Sequence, residues 1–139
     1  FSRRQRQMCI RDREIESNAL FLAKNLKKHK LVHDVFHPAL EHTINHQIWK
    51  RDFTGSSGLF SFILKKKYSN IILEKFYKRL KVFKLGYSWG GFESLITFPP
   101  LVNRSFKDKL KGTIIRLYSG LEDKEDQLKD INNALKILS

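Results

Sequence analysis

The run from Thr113 to Tyr118, closed by Gly112 on one side and Gly120 on the other, constrains the fold more than any other part of the chain. Its β-branched and aliphatic residues between two turn-forming glycines read as a strand. The period then changes. Leu121, Leu128, Ile131, Leu135 and Leu138 fall on one face of a helix, and Glu122, Asp123, Glu125 and Asp126 gather in its first turn, where the positive end of a helix dipole favours acids. The same alternation runs through the earlier residues. Ile15, Ala19, Leu22, Ala23 and Leu26 predict an amphipathic helix from Glu14, ending among Lys27, Lys28 and Lys30, and Leu31 to Phe36 reads as a short strand stopped by Pro38.

A polar loop or short helix carries the chain on to Trp49, and Gly55 to Gly58 is a turn before the strand-like Leu59 to Leu64. Ile71, Ile72, Lys75, Phe76, Arg79 and Leu80 follow a helical period. Phe83 to Tyr87 and Leu95 to Phe98 read as short strands flanking Gly90 and Gly91, with Pro99 and Pro100 ending the second. Strands and helices interleave without a repeat, so the expected fold class is α/β, of the α+β type: a small sandwich with helices covering one face of a sheet. Strand order is not contained in this pattern.

At 139 residues, 41% apolar and 12% aromatic, the chain suffices for about one folded domain and is not of disordered composition. No apolar run approaches the ~20 residues that span a bilayer, and the arginine-rich start lacks the apolar core of a secretory signal, so the expected location is cytoplasmic, with no membrane partner. A lone Cys9 forms no internal disulfide. The net charge of +13 invites a nucleic-acid reading. Residues 1–13 contribute +4 of it, and the remaining +9 is lysine spread along the chain beside many Ile, Asn and Phe residues, a solvated surface rather than a binding stripe. A nucleic-acid-binding module would interleave basic and stacking aromatic residues or show a binding motif, and neither is present. Residues 1–13 show no helical or strand period and resemble a translated adapter joined to the reading frame, so a non-native tail is expected there.

Arg116 stands out chemically, because it lies among Ile114, Ile115 and Leu117 in the best strand. A guanidinium there demands an anionic partner. That partner is either an internal carboxylate, with Glu93, Glu122 and Asp123 as candidates, or the carboxylate of a ligand. Tyr87, Ser88 and Trp89 precede the pair Gly90 and Gly91, whose backbone freedom lets a hydroxyl and an indole sit close to a ligand; alternatively the run is a tight turn with Trp89 in the core. No phosphate-loop pattern surrounds these glycines. Histidines 29, 33, 37, 42 and 46 include spacings of four, but with no accompanying Cys or Glu-x-x-His arrangement no metal site is expected.

Four stretches in order, at His37 to Leu40, Trp49 to Phe62, Leu85 to Leu95 and Gly112 to Asp123, resemble the C-terminal domain of the cystathionine beta-lyases, fold type I enzymes of the Cys/Met metabolism group that depend on pyridoxal phosphate (PLP). The resemblance runs from about Glu14 to Ser139. It implies a mostly antiparallel sheet and a role in splitting cystathionine to homocysteine, pyruvate and ammonia in transsulfuration and methionine biosynthesis, in a homotetramer. It further implies that Arg116 receives the substrate α-carboxylate and that Ser88 lies near the cofactor-bearing lysine and that carboxylate. Trp89 then separates the beta-lyase from gamma-synthases and gamma-lyases, with Tyr87 and Glu93 as support. The lysine that holds PLP, and the phosphate-binding loop, belong in the family to a larger N-terminal domain, and no lysine of this chain lies in the family's lysine motif. The expectation is therefore a C-terminal domain over residues 14–139, inactive alone. A cystathionine gamma-synthase or a cysteine desulfhydrase is the alternative within the family.

Overall fold

The computed structural model describes residues 3–86, 88, 91–99 and 112–139. Helix α1 (Arg3–Lys27) leads to β1 (Val32–Phe36), α2 (His46–Asp52), β2 (Leu59–Leu64), α3 (Asn70–Arg79), β3 (Lys84–Leu85), β4 (Leu95–Thr97), β5 (Ile114–Tyr118) and α4 (Lys124–Leu135), with a 3-10 turn at Lys136–Leu138. The five strands form one sheet in the order β1-β2-β5-β4-β3. All neighbours are antiparallel except β3 and β4, which run parallel, so the mostly antiparallel sheet is borne out.

Register sorts the strand residues into two faces. Phe60 lies opposite Leu117, Phe62 opposite Ile115, and Ile96 opposite Leu117 on the other side of β5. These residues share the core with Val35, with Leu22 and Leu26 of α1, Phe76 of α3, and Ile131 and Leu135 of α4. Helix α4 packs against both α1 and α3, and the three helices cover this face. Each large apolar side chain so buried stabilises by about 1.5–3 kcal/mol, and this layer dominates the fold. The helical stripe read from the sequence, Ile15 to Leu26, is buried throughout.

Helix α1 corrects one expectation. It starts at Arg3, not at Glu14, and residues 3–13 continue it without a break. Arg3, Arg6, Cys9 and Ile10 are exposed on it. Arg, Gln and Met are good helix formers, so the packed half of α1 propagates into a segment whose sequence carries no apolar period. At the other end, Leu121 is partly exposed and Asp123 is the N-cap of α4, accepting from the amides of Glu125 at 2.9 Å and Asp126 at 3.1 Å. Glu122 thus precedes the helix instead of lying in its first turn.

The linker from α3 to β3 is fixed by a buried carboxylate. Asp130 of α4 accepts hydrogen bonds from the amides of Lys81 (2.8 Å), Val82 (2.9 Å) and Phe83 (3.0 Å). Beyond it, nine residues, 86–94, separate β3 from β4. Because these two strands are parallel, that stretch connects one end of the strand pair to the other.

Candidate functional site

Arg116 occupies the middle of β5 on the face away from the helices, with Ser61 of β2 opposite on one side and Thr97 of β4 on the other. It is half-buried. Thr97 is buried and its hydroxyl has no hydrogen-bond partner. The three carboxylates considered as partners for Arg116 each make another contact. Glu93 pairs with Lys84 at 3.3 Å on the surface, Glu122 binds Ser94, and Asp123 caps α4.

The loop is tied to the end of β5 at several points. Tyr118, two residues after Arg116, donates its hydroxyl hydrogen to the Gly91 carbonyl at 2.8 Å, and the Leu121 amide donates to the Phe92 carbonyl at 2.9 Å. Gly120 lies so near that a Cβ there would meet the Phe92 carbonyl oxygen at 2.3 Å, so only glycine admits this approach. Ser94, fully buried, is held by both carboxylate oxygens of Glu122. Its amide donates to Oε1 at 3.1 Å and its hydroxyl to Oε2 at 2.5 Å, while the hydroxyl oxygen accepts from the Gly120 amide at 2.8 Å. Asn18 of α1 and Gln127 of α4 complete the arrangement by donating to the carbonyls of Gly120 and Glu122.

Ser88 is exposed and lines, with Gly91, Phe92, Glu93 and Leu95, an open cleft of about 320 Å³. Glu93 shares that cleft, and Arg116 is not in its lining. Tyr87 and Trp89, the other two residues singled out in the sequence, lie outside the described residues. Sequence reasoning did not single out Ser94 and treated Glu122 only as a dipole acid or a partner for Arg116. No local signal marks a pair 28 positions apart. Among the described residues, no lysine lines the cleft, and Lys84 is committed to Glu93 on the surface. These residues do not fit the task of holding PLP.

Four of the five histidines find structural partners. His46 donates Nδ1–H to the Pro38 carbonyl at 2.7 Å, His42 donates to Asp34 at 2.7 Å, and His29 accepts from the Leu31 amide. Burial pushes Asp34 up, but hydrogen bonds from Lys27, the Val35 amide and His42 outweigh it and hold the carboxyl below its ordinary value. His37 is buried against the Phe60 ring; its Nδ1 accepts from the Ala39 amide at 3.1 Å and its Nε2 has no partner. Burial lowers its pKa to about 4. No group of three or more His, Cys, Asp or Glu side chains is placed for a metal ion among the described residues, and none of their helices is long and apolar enough to cross a membrane.

A layered α/β domain with a glycine-rich loop latched beside its central strand is similar, on comparison with known proteins, to a domain found in enzymes of amino-acid metabolism. The Cys/Met metabolism PLP-dependent enzyme family matches residues 3–136, and the chain belongs to that family. It is 42% identical over 136 residues to the cystathionine beta-lyase of Escherichia coli K12, covering 94% of this chain and 34% of that protein. It is 38% identical over 135 residues to the L-alanine/L-glutamate racemase of Wolbachia pipientis wMel, covering 94% of this chain and 33% of that protein. The cystathionine gamma synthase of Xanthomonas oryzae pv. oryzae, solved with aminoacrylate and cysteine, superposes with a TM-score of 0.78 at 28% identity, over 92% of this chain and 34% of that one. The chain thus spans about a third of the length of these relatives, and matches their C-terminal third.

Proposed function

We propose that this domain is the substrate-recognition part of a PLP-dependent carbon–sulfur lyase that cleaves cystathionine to homocysteine, pyruvate and ammonia. The observation that carries the reading is Arg116, a half-buried guanidinium on the helix-free face of the central strand, beside a glycine-rich loop fastened to that strand's end. A planar fork of N–H donors there suits a carboxylate, which it binds by two parallel hydrogen bonds. Arg116 orients the α-carboxylate, Ser88 and Trp89 shape the pocket beside the cofactor's lysine, and Tyr87 and Glu93 support them. The cofactor would be held by residues other than those described and would supply the carbanion stabilisation that C–S cleavage needs. The 42% identity to a cystathionine beta-lyase favours this reaction over that of a gamma-synthase or a cysteine desulfhydrase. A cytoplasmic homotetramer is the form we infer for the working enzyme.

The test is made in the full-length enzyme that carries this domain. Cystathionine should yield pyruvate and homocysteine. Release of 2-oxobutyrate and cysteine, or racemisation of alanine without C–S cleavage, would replace the proposed reaction. Arg116→Lys keeps the charge and loses the fork, so kcat/KM should fall by about 2–4 kcal/mol with cofactor binding intact. Near wild-type kcat/KM would make Arg116 a structural ion-pair residue.

A further inference from the structure

We propose that Ser94 and Glu122 act together as positioning residues for substrate recognition, fixing the distance between the loop that carries Ser88 and the strand that carries Arg116. The inference rests on the reading of Arg116 as the carboxylate receptor. Ser94 is the residue at which the loop rejoins the sheet, immediately before β4, and Glu122 follows the glycine that ends the approach of β5 to that loop. Six positions separate Ser94 from Ser88, and six separate Glu122 from Arg116. The Ser94–Glu122 clamp is therefore a cross-link between the two arms of the site.

Its chemistry suits that task better than simple attachment. Both oxygens of Glu122 bind one residue, one through the amide of Ser94 and one through its hydroxyl, and a two-point contact fixes orientation as well as distance. The serine hydroxyl accepts in turn from the Gly120 amide, so three groups are satisfied around one fully buried oxygen. The loop is already joined to this turn by Tyr118 with Gly91 and by Leu121 with Phe92. The clamp adds a defined seat. A displacement of about 1 Å in a binding group can cost on the order of a hundredfold in rate, so a looser seat should be read in catalysis before it is read in folding.

The test uses the cofactor-loaded full-length enzyme with Glu122→Gln, Ser94→Ala and Arg116→Lys. Glu122→Gln keeps an oxygen acceptor for the Ser94 amide but turns an NH2 group toward the hydroxyl, so it should fold even if Ser94→Ala does not. Glu122→Gln, and Ser94→Ala where it folds, should lose roughly tenfold or more in kcat/KM per cofactor-bound site with an unchanged cofactor spectrum, and Glu122→Gln should keep a melting temperature close to wild type. Glu122→Gln added to Arg116→Lys should lower kcat/KM no further than Arg116→Lys alone, because the position of an absent fork no longer matters; a purely structural role would multiply the two losses. If Arg116→Lys is impaired while both clamp variants stay within about twofold of wild type, or if the losses multiply, the clamp only stabilises the fold and this inference fails while Arg116 keeps its role. If Arg116→Lys itself retains full kcat/KM, the reading of the site fails and takes the inference with it.

Discussion

Acid should destabilise this domain through one imidazole. His37 is completely buried, its Nδ1 is occupied by the Ala39 amide, and its Nε2–H has no partner, so a second proton would place an uncompensated charge in an apolar site beside Phe60. Its pKa is accordingly lowered from 6.5 to about 4. The sign follows directly. As pH falls below 6.5 the unfolded chain binds a proton at this residue and the folded chain does not, so stability drops by up to about 1.4 kcal/mol per pH unit until pH ~4, then levels off for this group. The full effect is roughly 3 kcal/mol, a large share of the 5–15 kcal/mol that a domain typically has. The assay is urea unfolding from pH 8 to pH 4.5 of the chain and of His37→Asn, in which the amide oxygen can replace Nδ1 as acceptor for Ala39. Differences between the two cancel the other titrating groups, including His29, whose pKa is lowered by burial and by Lys30. Asp34, held below its ordinary value, is stabilising above the carboxylate range and loses that contribution only under this window. The variant should be less stable than wild type at pH 8, and the gap should narrow by about 2–3 kcal/mol by pH 4.5. A gap that stays constant with pH would show that His37 titrates normally in the folded state, and the burial argument would be wrong.

Thr97→Val removes a buried hydroxyl that has no partner, so stability should be unchanged or raised by up to about 1 kcal/mol in thermal unfolding; a loss above that would reveal a bond the oxygen makes. Asp130→Ala strands the amides of Lys81, Val82 and Phe83 and should cost about 2–4 kcal/mol by urea unfolding, with β3 losing amide protection first. Starting the chain at Glu14 removes helical residues whose described side chains are mostly exposed, so the melting temperature should move by only a few degrees; a large drop would make residues 1–13 a structural element. Incubated with PLP, the chain alone should neither cleave cystathionine nor show stoichiometric labelling of one lysine after borohydride, and either result would overturn the reading that the cofactor is held elsewhere.

Strands β2 and β5 were legible almost to the residue, because apolar runs opened by a glycine turn and ended by a glycine or a run of lysines admit few other structures. Asn70–Arg79 and the packed half of α1 were legible from their apolar spacing. The first eleven residues of α1 were not, since their sequence carries no apolar period to read. The parallel pairing of β3 with β4 was equally hidden, as two-residue strands take their register from the neighbours they meet and not from their own pattern. At the candidate site, Arg116 was visible as a charge out of place in an apolar strand. The engagement of Glu122 with Ser94 was not, because a carboxylate just ahead of a helix looks like a dipole acid until the chain folds back to meet it.

Strand β5 is the last of the five to follow in sequence, yet it lies at the centre of the sheet. Until it is in place, β1 with β2 and β4 with β3 are two separate ribbons with nothing joining them, each exposing an unpaired edge. Leu59 must then wait for Tyr118, and that long-range pairing makes sheet closure a late and slow event. During synthesis on the ribosome the earlier strands emerge first as sticky edges, the period in which such a chain is most open to aggregation. The strand that bears Arg116 is thus also the one whose arrival ends that exposure.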